Sequence, residues 1–405
     1  MKRILFSLLM LATILPALPC TSVVVSGKAT PDGRPLLWKH RDTGFMKNHI
    51  AYVKGEKYDF IANVNSENFH ELKEAWVGTN SAGFALMNTQ SYNLVEDIAP
   101  GKERGEANGR IIYRALEVCA TIDDFCHFLD TLQKPSLIEA NFGAIDAQGG
   151  AAMFEVDYYN YKMFDANDPT VAPYGYVARS NFSFSGKVND GGGYVRYMEA
   201  DRVLMQASAT HTITPQLIFN NLSRSFHHCL LDIDLRSGDY NRPKASGWFV
   251  DQDFIPREST SCSVVVQGVK ENEKAELTTM WTLLGYPPTG VAVPLWVKDN
   301  LPAMMTFDEA YDAAPLSHHS LKLAKEKVFC YDQGLGTDKY LCWENLYNLQ
   351  GTGLMQQIVP IEETVFRLAT PVIEAWRKKG KVDMEEMENL YVKLEDYIYS
   401  QGILK

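Results

Sequence analysis

Cys20 opens the stretch that most constrains how this 405-residue chain can fold. Thr21 to Ser26 is β-branched and apolar, Pro31-Asp32-Gly33 is a turn tripeptide, and Leu36-Leu37-Trp38 resumes the apolar pattern. That order predicts a hairpin whose first strand begins at Cys20. The residues before it have a different character. Lys2 and Arg3 are followed by an apolar run from Ile4 to Leu15, and Pro16 and Pro19 end any helix. A basic start, about a dozen apolar residues and a proline-broken end read as a secretory signal, residues 1–19, too short for a membrane span. The expected location is therefore periplasmic or secreted. A cut before Cys20 puts Pro19 at −1 and Ala17 at −3, whereas a cut after Ala17 leaves a Leu-Pro remnant to be trimmed.

Further along, strand and helix signals alternate in blocks. Trp76 to Gln90 predicts two strands around Asn80-Ser81-Ala82-Gly83. Ile111 to Ala120 has helical spacing, and Thr121-Ile122-Asp123-Asp124 is a cap that opens a second helix to about Leu132. Phe142–Asp146 and Ala151–Val156 flank Gln148-Gly149-Gly150 as a hairpin. Val171–Ala178 reads as a strand, Arg196–Ala207 and Pro215–His227 as helices, and Ser261–Gln267 with Leu277–Leu284 as a strand pair. Residues 362–400 are helix-rich and charged, with Pro371 at a start or kink. Many strands interrupted by paired helices predict α+β layers rather than an alternating parallel sheet. No linker-like stretch divides the chain, so one domain over 20–360 is expected, with a helical C-terminal extension over 361–405.

A formal net charge of −11 leaves no basic excess to displace counterions from nucleic acid, so no nucleic-acid partner is expected. The 46% hydrophobic and 22% charged content is ordinary for a globular protein, with no integral membrane span. The seven cysteines, an odd number, leave at least one free thiol. Cys330 and Cys342 flank Gly334-Leu335-Gly336 and are candidates to close a short loop, while Cys119 and Cys126 read as buried free thiols. No zinc-knuckle, HExxH, GxSxG, P-loop or EF-hand pattern occurs. His227-His228 and His318-His319 are adjacent pairs whose rings point apart, which makes them poor chelators. No metal or cofactor is expected.

Cys20 is the residue with chemistry to weigh. If the leader is cut before it, one residue carries both a thiol and an α-amine. An α-amine titrates near pH 8, far below a lysine, and can take the thiol proton directly or through water. Such a residue suits acyl transfer, with backbone N–H groups and asparagine amides holding the oxyanion. Two other readings of a cysteine behind a leader stand beside this one: a lipid anchor, and an ordinary structural thiol.

Cys20-Thr21-Ser22-Val23-Val24-Val25 followed by Asp32-Gly33-Arg34-Pro35-Leu36-Leu37-Trp38-Lys39-His40-Arg41-Asp42 resembles the start of the N-terminal-nucleophile amide hydrolases of the choloylglycine hydrolase, penicillin V acylase and 6-aminopenicillanic acid acyltransferase type. Asp42 matches the family aspartate at the nucleophile's end. Lys39 stands where arginine is usual, with Arg41 as the alternative cation. Gly78 to Asn88 is similar to the family's second hairpin, which maps an oxyanion role to Asn88. Ala178-Arg179-Ser180-Asn181-Phe182 resembles an Arg-Thr-Asn-His segment, which makes Asn181 the leading oxyanion candidate, and Arg196 falls where a downstream arginine is found. The resemblance covers about Cys20 to Pro294. It implies a four-layer αββα sandwich and hydrolysis of linear amides in small-molecule substrates. A dipeptidase of the same clan, or a lipid-anchored binding protein, remains the alternative.

Overall fold

The computed structural model describes residues 20–67, 72–96, 105, 107–237, 247–251, 253–331 and 340–402. The leader, residues 1–19, lies outside them. Two antiparallel sheets dominate. The first has six strands in the order Tyr176–Arg179, Thr21–Val25 (β1), Leu36–Asp42 (β2), Thr260–Gln267, Thr279–Leu284 and Val293–Leu295. The second is a seven-stranded meander in chain order: Asn48–Val53, Phe60–Asn65, Val77–Asn80, Ala85–Gln90, Ala140–Ile145, Ala151–Val156 and Tyr161–Asp165.

Nearly every strand residue of the six-stranded sheet is buried, because the sheet is covered on both faces. One face meets the second sheet. Ser22 Oγ accepts from Thr89 Oγ1 at 2.7 Å across the gap. At Gly143 a Cβ would stand 2.7 Å from Val24 Cγ2, so only glycine lets the sheets approach this closely. Outside the seven-stranded sheet lie α1 (Asn108–Val118) and α2 (Ile122–Thr131), whose Ile112, Leu116, Phe125 and Leu129 pack on Phe60, Phe84, Phe142 and Phe154. The predicted cap of α2 is a full capping box between Thr121 and Asp124.

The other face of the six-stranded sheet is covered by α3 (Tyr194–Ala209), α4 (Pro315–Leu323), α5 (Leu354–Lys379) and α6 (Met384–Ser400). Trp281 stacks on Phe366 at 4.1 Å, and Trp296 meets Trp376 edge-on at 4.9 Å. Glu362, buried on α5, takes both Arg224 Nη atoms at 2.7 and 2.8 Å and the Ala292 N–H at 2.8 Å. The expected αββα layering is thus present. No helix of the described residues is long and apolar enough to cross a membrane.

Several expectations need adjustment. Of the predicted Val171–Ala178 only Tyr176–Ala178 is strand, which runs on to Arg179, and the preceding residues turn through Gly175 at φ +70°. The helix from Pro215 passes into a π turn and ends at Leu222, so His227 and His228 lie in a short strand. Pro371, expected at a start or a kink, sits inside α5. Cys330 and Cys342 are free thiols, as are Cys119 and Cys126, with Cys119 buried. The turn 334–336 between the first two lies outside the described residues.

Candidate active site

β1 is a central strand, paired antiparallel with Tyr176–Arg179 on one side and β2 on the other, with Thr21 opposite His40 and Ser22 opposite Lys39. Cys20 stands at its entrance, 7% exposed, with Sγ 3.6 Å from the Asp42 carbonyl. Alternation along β2 puts Lys39 and Arg41 on the face toward the second sheet and His40 and Asp42 on the other. Lys39 and Arg41, the two candidate cations, thus share one face of β2.

Lys39 Nζ donates to the Asn88 carbonyl at 2.6 Å and to Asn88 Oδ1 at 2.7 Å. Burial lowers its ammonium to about 8, while the neighbouring Cys20 sulfur pulls the other way. Arg41 donates to Asn48 Oδ1 and Asn65 Oδ1, lies over the Trp76 ring at 4.6 Å, and is lowered by burial to about 10. Cys262, opposite Arg41 on the next strand, is buried and its thiol is pushed up to about 11, so it stays neutral.

Arg196 comes from the first turn of α3. Its Nη1 donates to the Cys20 carbonyl at 2.5 Å and to Thr21 Oγ1 at 2.8 Å, and its Nη2 to Asn181 Oδ1 at 2.9 Å. Asn181 Nδ2 donates to the Gln90 carbonyl at 2.8 Å, so this amide is fixed at both ends. Gly193 precedes the helix at φ +81°, where a Cβ would collide with Arg196 Nη2 and stand 2.9 Å from Ser180 Oγ. Gly193→Ala is expected to displace Arg196 and reduce turnover by roughly tenfold or more with Cys20 untouched, checked by steady-state kinetics alongside circular dichroism.

Asp42 is 3% exposed. Oδ1 accepts from Thr260 Oγ1 at 2.6 Å, whereas Oδ2 has no hydrogen-bond partner and faces Arg257 Nε at 3.5 Å. Burial lifts this carboxyl to about 6 against the pull of Arg257 and Arg196. His40 Nε2 lies 3.9 Å from Oδ1, yet burial and the two arginines hold it at about 3, so this contact is not an ion pair.

The structure thus brings Cys20, Asp42, Lys39, Asn88, Asn181 and Arg196 into one connected hydrogen-bonded and charged group. Sequence reasoning missed Arg257 and Thr260, which arrive from 218 residues away along the chain in the case of Thr260. A β-bulge between Thr260 and Cys262 sets that meeting, and nothing in the local pattern announces it. The cavity of about 380 Å³ is lined by Glu199, Arg202 and His227 among others, and does not include Cys20.

No family model matches the sequence, and no curated protein matches it. Among solved structures the chain is similar to penicillin V acylase from Agrobacterium tumefaciens, at 12% identity and TM-score 0.38, covering 68% of this chain and 86% of that one. It is similar to a conjugated bile acid hydrolase from Clostridium perfringens at 10% identity and TM-score 0.39, covering 68% and 92%. A Caenorhabditis elegans N-acylethanolamine-hydrolyzing acid amidase ortholog aligns at 12% identity and TM-score 0.36, covering 50% and 89%.

Proposed function

We propose that this chain is an exported hydrolase of linear amide C–N bonds, acting on N-acyl amino compounds through Cys20 once residues 1–19 are removed. The observation that carries the reading is the setting of Cys20. Its sulfur lies 3.6 Å from the Asp42 carbonyl, Arg196 Nη1 donates to its own carbonyl at 2.5 Å, and the neighbouring Lys39, Arg41 and Arg196 are all buried.

The newly freed α-amine of Cys20 takes the thiol proton, and the thiolate attacks the substrate carbonyl. Asp42 Oδ2, buried without a hydrogen-bond partner, is the acceptor available to orient the resulting ammonium. The second N–H of Asn181 Nδ2 and the amide of Asn88 supply oxyanion donors, held by Arg196 and Lys39 respectively. The tetrahedral intermediate collapses as the ammonium protonates the leaving amine. Water then hydrolyses the thioester, with the same amine as its base.

A panel of N-acyl amino acids and other N-acyl amines, set beside dipeptides, tests the reading. Release of amine from the acyl compounds is expected, and hydrolysis of dipeptides alone would overturn the substrate class. The pH profile carries a separate expectation. Since Asp42 must be ionised, kcat/KM is expected to fall about tenfold per pH unit below about 6. This loss is not unfolding at Asp42. Its folded pKa lies above the ordinary 3.8, so protonating it favours the folded state, and that stability disappears as pH rises through about 6. A circular-dichroism signal constant across pH 5–7, with the acid limb in kinetics, checks both halves.

A further inference from the structure

Glu199 and His227 line the cavity beside α3, and a third side chain of different chemistry, Cys229, meets them there. Glu199 lies one turn beyond Arg196 on that helix, and His227 and Cys229 come from the short strand and turn that follow Leu222. His227 Nδ1 is 2.8 Å from Glu199 Oε2, Cys229 Sγ is 3.0 Å from the same oxygen, and Sγ and Nδ1 are 3.6 Å apart. One ligand atom from each residue falls within a 4.8 Å group. Glu199 is 1% exposed, and the other two are partly exposed.

We propose that Glu199, His227 and Cys229 form a binding site for one divalent transition-metal ion of the zinc class, outside the Cys20 site and independent of the function proposed for it. The donor set is a carboxylate oxygen, an imidazole nitrogen and a thiolate sulfur, the mixed hard and soft set that zinc accepts. Tetrahedral zinc at its usual bond lengths would set these donors about 3.3–3.6 Å apart, so two of the three separations need to widen by roughly half an ångström. In the metal-free chain the Cys229 thiol donates to Glu199 Oε2, and His227 Nδ1 meets the same oxygen, so the ion would lie between these three atoms. Binding expels the Cys229 proton to solvent and moves the imidazole proton to Nε2. That nitrogen faces Asp232 Oδ1 at 3.6 Å, the carboxylate–histidine pairing that orients metal-ligating imidazoles.

Arg202 competes for the carboxylate, with Nε on Oε2 and Nη2 on Oε1, both at 2.8 Å. Its side chain is 39% exposed, so it can yield Oε2 while keeping Oε1. Glu199 and His227 border the cavity of about 380 Å³, whose Arg202 and Arg236 would draw water or a small anion to the ion's remaining coordination position.

The test titrates the chelator-stripped full chain with Co²⁺ and then Zn²⁺. One equivalent of Co²⁺ is expected to bind with a thiolate-to-cobalt absorption band, to release about one proton, and to be displaced by Zn²⁺. Cys20→Ala is expected to retain the band. Cys229→Ala should abolish the band and weaken binding by at least about 100-fold, and Asp232→Asn, at an exposed position, should weaken it about 10-fold. Failure of the folded wild-type chain to bind Co²⁺ or Zn²⁺ at stoichiometric concentrations would overturn the site. A band that survives Cys229→Ala and is lost in Cys20→Ala would overturn it equally, because it would place the metal on the other thiol.

Discussion

Replacing Cys20 by alanine is expected to reduce amide turnover by at least about 10³-fold while the thermal transition stays within a few degrees of wild type. The size of the loss follows from what the residue supplies. In the proposed mechanism the thiol forms the acyl-enzyme bond, and Cys262, two strands away in the same sheet, is held neutral by burial and does not replace it. The small effect on stability follows from packing. Cys20 makes one long contact through sulfur, 3.6 Å to the Asp42 carbonyl, and the backbone contacts from Arg196 survive the change. Full activity in the alanine variant, measured by amine release, would end the mechanism.

Lys39→Met is expected to separate function from stability. Turnover should fall by roughly 10²-fold, because a buried cation beside the thiolate and the anchor of Asn88 are lost together. Stability at pH 7 should rise by about 1–3 kcal/mol. Holding the ammonium in the sheet interface lowers its pKa from 10.5 to about 8, worth about 3–4 kcal/mol at about 1.4 kcal/mol per pKa unit, and loss of the two hydrogen bonds to Asn88 offsets part of the gain. Between about pH 8 and 10.5 the unfolded chain holds more protons at this residue than the folded one. Wild-type stability therefore gains from Lys39 as pH rises through that window, and the methionine variant lacks the gain. Urea unfolding of both proteins at pH 7 and pH 10 reads the sign directly. A methionine variant less stable at pH 7 would mean the buried charge contributes more than it costs.

Much of this architecture is legible in local pattern. β1 and β2 announce themselves through a β-branched run, an Asp-Gly turn and a second apolar run. The hairpin around Asn80–Gly83 and the capped helix at Thr121 are equally local, because turn and cap chemistry acts within four residues. The misreadings arise where tertiary context overrides such signals. Asn48–Val53 and Phe60–Asn65 are strands that bury the polar Asn48 and Asn65, since both amides accept from the Arg41 guanidinium. Pro294 marks a break in sequence, yet it lies in an edge strand where its missing N–H costs nothing.

The same division runs through the candidate site. Cys20, Lys39 and Asp42 are close in sequence or adjacent by strand pairing, and alternation alone sorts their faces. Asn88, Asn181 and Arg196 were drawn from the family resemblance, not from spacing, and the structure links Asn181 to Cys20 through one guanidinium. Arg257, Thr260 and the Glu199–His227–Cys229 group had no local signal. Each depends on how distant strands register, and a stretch of sequence holds no record of that.

The account rests on Cys20 being the first residue of the working enzyme, and N-terminal sequencing with intact-mass measurement of the protein exported from a bacterial host tests it most directly. A chain beginning with unmodified Cys20 is predicted, carrying the free amine that the proposed mechanism uses as its base. Residues retained ahead of Cys20 in the active protein, or a diacylglyceryl mass on its thiol, would contradict it.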